Sequence, residues 1–264
     1  MSGDELEIVV SLAAVTFVLG ILLGFIGAGG AGLAVALLTS VFHLPAHQAI
    51  GTALASMCVV TISGAISHFR QGNVAVRAGL VVGLTGAIGA VIGAESSQVV
   101  PAATLQRLAG LALLLLAAVV WVRLQLGIGT RAAHLEPPWA GEPMRSHREW
   151  AAAAGLGLSG GASAAFLGVG MAPFLQLGFL TLLRLPLRQT IGTTMLTLVF
   201  ISATGSLALA RHGDVSPPHL LGATLGLASG AYLGARFTRR ARQSVLRVAV
   251  VAIPVIAGLA LLLF

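Results

Sequence analysis

Phe25-Ile26-Gly27-Ala28-Gly29-Gly30-Ala31 interrupts one apolar run, and Phe166-Leu167-Gly168-Val169-Gly170-Met171-Ala172 interrupts another at a matching point. In a bilayer core an unpaired backbone N–H or C=O costs several kcal/mol, so a bare break must be buried in protein or line a cavity. A glycine turn that opens a helix also leaves amide N–H groups at the positive end of the helix dipole, where anions are favoured. A tight turn, or close helix packing alone, is the plainer reading of the same residues.

The surrounding composition puts those breaks in a membrane. Hydrophobic residues make up 57% of the 264 positions and charged residues 9%, with a mean hydropathy of +0.97. Apolar runs of about 20 residues point to a polytopic helical membrane protein. Ten-residue alternating segments, the mark of a β-barrel, do not occur. The first run follows Asp4, Glu5 and Glu7 rather than basic residues, so it is expected to be a retained helix. Cys58 is the single cysteine, so no disulfide forms within the chain. Every basic residue apart from histidine is arginine, placed beside apolar runs. The net charge of +7 therefore belongs to topology and anionic lipid rather than to nucleic acid.

The expected fold is all-α, with membrane segments at 8–28, 31–43, 46–69, 75–94, 102–123, 150–169, 171–183, 187–210, 217–236 and 243–264. A sliding offset of 141 aligns residues 25–94 with 166–235 without a gap, and 21 of those 70 pairs are identical. The matches include Leu44-Pro45 with Leu185-Pro186, Gln48 with Gln189, and Arg70 with Arg211. Apolar bias does not produce paired Gln, Arg and Pro in one register, so the chain is a duplication. Residues 1–123 form the first repeat, 124–149 a cytoplasmic connector and 150–264 the second repeat.

Charge sets the relative orientation. With five crossings per repeat and the N-terminus outside, 13 of the 15 arginines fall on the inner face. Without crossings at 31–43 and 171–183 the split is 8 to 7. The positive-inside rule favours the first arrangement, which inverts the second repeat. The two short segments reach only about 20 Å and are expected to be sunk between other helices. Trp121, Trp139 and Trp150 flank spans as interface anchors.

Glycine stripes predict which helices pack. Gly79, Gly83, Gly86, Gly89 and Gly93 on one span and Gly226, Gly230 and Gly234 on another form small-residue faces, expected to meet centrally. Arg70-Gln71-Gly72-Asn73 and Arg211-His212-Gly213-Asp214 read as turns.

Polar groups within the spans are few. His47-Gln48-Ala49-Ile50-Gly51-Thr52 is matched by Arg188-Gln189-Thr190-Ile191-Gly192-Thr193-Thr194, each after a Leu-Pro pair. Gln48 and Thr52, four apart, share a helix face, as do Gln189 and Thr193. Their amides and hydroxyls can donate to an oxyanion, or can simply bond between helices. His43 and His47 have metal-ligand spacing, but Pro45 stands between them and their counterparts are Arg184 and Arg188, so no metal is expected. Clear of the span ends there is no acidic residue, Glu95 lying at an edge, and no nucleotide-binding loop or nucleophile–base pair. An enzyme or a self-contained ATPase is therefore not expected, and no cofactor is.

With the duplicated glycine motif, the paired Ile-Gly-Thr segments and His68…Gly72-Asn73-Val74, the chain resembles the sulfite exporter TauE/SafE family, also called toluene sulfonate uptake permeases. The resemblance runs from Phe17 to Phe264. It implies a multi-pass transporter of the cell membrane, in bacteria the inner membrane, carrying sulfur-containing anions such as sulfite or sulfonates. Gly27, Gly29, Gly30, Gly168 and Gly170 would offer backbone donors. Gln48, Thr52, Gln189, Thr193 and Thr194 would add neutral side-chain donors, and Arg188 would attract the anion. The expected partners are that anion and membrane lipid. A passive pore is the rival expectation.

Overall fold

The structure, a computed structural model, describes residues 3–26, 31–125, 146–168, 172–238 and 243–263. Gly27, Gly29, Gly30, Gly170, most of the 124–149 connector and the side chain of Arg188 lie outside what it describes.

The described residues form ten helices. The first five are α1 (Gly3–Ile26), α2 (Ala31–Ser40), α3 (Ala46–Arg70), α4 (Val76–Gln98) and α5 (Ala102–Gln125). The second five are α6 (His147–Leu167), α7 (Ala172–Thr181), α8 (Leu187–Arg211), α9 (Pro217–Thr238) and α10 (Gln243–Leu263). Among the described residues α3, α4, α5, α6 and α8 are long and apolar enough to cross a membrane. Large apolar side chains such as Val10, Leu84, Leu115, Leu225 and Ile256 point outward, as lipid contact requires.

The short helices α2 and α7 are ten residues each. Apart from Thr181 at its end, neither carries an exposed residue. They are sunk among the long helices, as their length demands. Each ends in a left-handed residue, His43 (φ 52) and Arg184 (φ 50). The next amide reaches back to close the helix, Leu44 N to the Leu38 carbonyl at 2.9 Å and Leu185 N to that of Phe179 at 3.0 Å. Pro45 and Pro186 then open α3 and α8, their missing N–H being harmless at a helix start.

The glycine stripes do not bring α4 and α9 together. Methyl groups at Gly89 and Gly93 would overlap the Leu158 and Ala162 carbonyls of α6, and one at Gly226 would overlap the Ala13 carbonyl of α1. So α4 packs on α6 and α9 on α1. The physical reason is that close backbone approach needs small residues on both sides. The first span of the opposite half supplies them, as Gly157 and Gly161 on α6 and as Gly20 on α1.

Helix directions follow from the same contacts. Gly64 faces Met195 and Gly205 faces Leu54, so α3 and α8 run antiparallel. Gly110 faces Gly258 and Leu262, while Gln106 donates to the Leu261 carbonyl, so α5 and α10 are antiparallel too. Along α1 and α9, Gly222 meets Val9, Gly226 meets Ala13 and Gly230 meets Phe17, so these two are parallel.

Candidate functional site

Thr52 and Thr193 are fully buried, and each bonds across the 141-residue offset. The Thr52 hydroxyl accepts from Ser216 N at 3.1 Å, and the Thr193 hydroxyl accepts from Ala75 N at 2.9 Å. Ser216 and Ala75 stand directly before α9 and α4, so each threonine satisfies an amide at the start of a helix that begins without a side-chain cap of its own at Ala75. Accepting that bond leaves the hydroxyl proton able to donate.

Neighbouring glycines make the approach possible. A methyl at Gly51 would overlap the Asp214 carbonyl, and one at Gly192 would overlap that of Asn73. Those carbonyls belong to the turns at Gly72 (φ 68) and Gly213 (φ 80), closed by Asn73 N to His68 O at 3.0 Å and Asp214 N to Leu209 O at 3.1 Å. The Ile-Gly-Thr segments thus join one half of the chain to the turn of the other. Thr194 donates to the Thr190 carbonyl at 2.8 Å. Replacing Thr52 or Thr193 by Val keeps the volume and strands a part-buried amide, which costs up to about 1–3 kcal/mol. Thermal unfolding is expected to show a lower melting temperature for each Val variant, and near-native values for Thr→Ser.

Gln48 and Gln189 are half-buried in the first turns of α3 and α8. The structure does not gather the two polar sets at one depth. Thr52 lies beside Leu54, level with Gly205. Thr193 is twelve residues back along α8, roughly 18 Å of helix rise.

Gly168 decides how the breaks relate to these sets. It ends α6 in the left-handed conformation (φ 65), its N–H bonded to the Ala164 carbonyl. It is buried against the other half: a Cβ there would strike Ile50 and lie 3.0 Å from Val35. Ile50 is two residues from Thr52. Val35 is one turn, about 6 Å, beyond Ala31, where α2 begins. Gly168 therefore lies by the start of α2 and by the first Ile-Gly-Thr segment. Both short helices start buried, at Ala31 and Ala172, and neither has an acidic residue in its first turn.

Contacts that the sequence reading did not anticipate tie the ends of the spans together. Glu95 pairs with His212 at 3.2 Å, Gln98 donates to the Asp214 carboxylate at 2.6 Å, and a nitrogen of His47 lies 2.9 Å from the Ser97 carbonyl. They bridge the end of α4 to the start of α3 and to the α8–α9 turn. Only the polarity of 95–98 at a span end hints at them.

The family model described as sulfite exporter TauE/SafE matches residues 12–261. The chain belongs to that family. The TauE/SafE chain is 40% identical over 248 residues to the probable membrane transporter protein YdhB of Bacillus subtilis, covering 94% of this chain and 98% of that relative. A probable membrane transporter protein of Xylella fastidiosa is 26% identical over 224 residues, covering 83% and 82%. No solved structure matches significantly. With its span-length apolar helices, this TauE/SafE protein is a multi-pass membrane transporter, a class that moves solutes rather than transforming them.

Proposed function

We propose that this transporter exports sulfur-containing anions, such as sulfite or sulfonates, by alternating access between two inverted repeats. The observation that carries the reading is Gly168, the second break, seated against Val35 and Ile50 of the opposite half. Each break would then form a half-site with the other repeat's Ile-Gly-Thr segment. Gly168 would act with Gln48 and Thr52, and Gly27, Gly29 and Gly30 with Gln189, Thr193 and Thr194. Gly170 would extend the first of these half-sites.

Helix directions support the inversion. Counterparts under the 141 offset, α3 with α8 and α5 with α10, run antiparallel. Two copies related by an axis along the membrane normal would have parallel counterparts. The reciprocal pairs Thr52–Ser216 and Thr193–Ala75 are what a two-fold relation produces. Ten segments, five per repeat, agree with the arginine distribution.

Anion preference rests on the buried starts of α2 and α7, whose first amides carry positive partial charge and whose first turns hold no acidic residue. Arg188 would draw anions from the cytoplasm. An inside-negative potential favours anion exit by about 2.3 kcal/mol per charge per 100 mV. Proteoliposomes loaded with sulfite or a sulfonate are expected to show saturable efflux and counterflow that speed up as the interior is made negative. Flux indifferent to both potential and substrate charge would refute the reading, and unsaturable flux would indicate a pore.

A further inference from the structure

We propose that Gln176, in the middle of α7, lines the path between the two half-sites and hydrogen-bonds the passing anion; this rests on the transport reading above. Gly160 faces Leu175 and Gly178 faces Leu156, so Gln176 lies level with the middle of α6, a helix long enough to span the bilayer. It is half-buried and makes no hydrogen bond to any described residue.

An amide left unmatched at mid-membrane is expensive, and polar side chains there face the bundle interior or water. No residue from Ala172 to Leu180 is exposed, so α7 stands mostly enclosed by its neighbours. The part of Gln176 left open is the part assigned to the path.

The repeat adds a second reason. Under the 141 offset Gln176 takes the place of Val35, the residue that meets Gly168 at the second break. Gly168 thus meets an aliphatic wall, while α7 carries a carboxamide at the matching position. The carboxamide NH2 group can donate to a sulfonate or sulfite oxygen without a charge that would hold the anion in place.

Two measurements test this. In proteoliposomes Gln176→Leu is expected to weaken apparent affinity for the anion about ten-fold, the loss of one hydrogen bond to a charged group. Gln176→Asn should keep part of it, and Gln176→Glu should repel anions. Gln176→Leu should also melt no lower than the parent protein, because it removes an unmatched amide. A lower melting temperature with unchanged affinity would make Gln176 a packing residue and overturn the proposal. The second measurement needs no substrate. Gln176→Cys in a Cys58→Ser background should react with a membrane-impermeant thiol reagent faster than Leu115→Cys on the lipid face. Equal rates would place Gln176 outside any aqueous path. Thiol access at Gln176 with no anion flux in the parent protein would instead refute the anion reading and leave the path in place.

Discussion

Gly161→Ala is expected to lower the melting temperature of the purified protein by about 5–10 °C, and Gly161→Leu to yield no monodisperse protein. A methyl at Gly161 would overlap the carbonyl oxygen of Gly86, and that oxygen belongs to a backbone rather than to a side chain that could swing away. The helices themselves must separate. Overpacking costs roughly 1–3 kcal/mol, occasionally more, and a backbone obstacle belongs at the upper end. Gly155→Ala is the control, since nothing lies within 4 Å of its added methyl. There the loss of a helix-interior glycine stabilises by about 0.5–1 kcal/mol. Equal melting temperatures for the two variants, measured in one detergent, would show that α4 and α6 do not touch as described.

The same contact shows where sequence reading reached its limit. The two short helices and most helix ends were legible, because Pro, Gly and apolar run length act locally. The pairing of helices was not. Stripes on α4 and α9 announce that each wants a close neighbour, but a stripe says nothing about which neighbour. The needed clue lay in Gly157 and Gly161, which read as ordinary small residues inside a span. The candidate site divided in the same way. Gln48 with Thr52 and Gln189 with Thr193 do lie four apart within α3 and α8. That the two faces stand at different depths depends on α3 and α8 lying antiparallel, with Leu54 against Gly205 and Gly64 against Met195. No local pattern contains that. Gln176 escaped notice because it differs from its repeat mate, and a search for matched residues passes over the positions where the two copies diverge.

Gly168→Ala is expected to reduce transport by at least about ten-fold, and two separable causes contribute. One is conformational. At φ 65 a residue with a Cβ incurs about 1–2 kcal/mol of left-handed strain. The other is steric, because the new methyl meets Ile50 and Val35 across the interface of the two halves. Steric overlap would hold the break away from α2 and α3, and so would open the half-site that the transport reading places there. Ile50→Ala in the same chain removes the Cγ1 atom that the new methyl strikes and does nothing for φ. If sterics dominate, Gly168→Ala/Ile50→Ala carries more flux than Gly168→Ala alone. If backbone strain dominates, the double variant stays as impaired as Gly168→Ala, and Gly168→Asn, which tolerates the left-handed region better, outperforms it. Gly155→Ala should leave flux intact throughout. Full transport by Gly168→Ala would remove the second break from the mechanism, since a functional break cannot accept a methyl wedged against the opposite repeat.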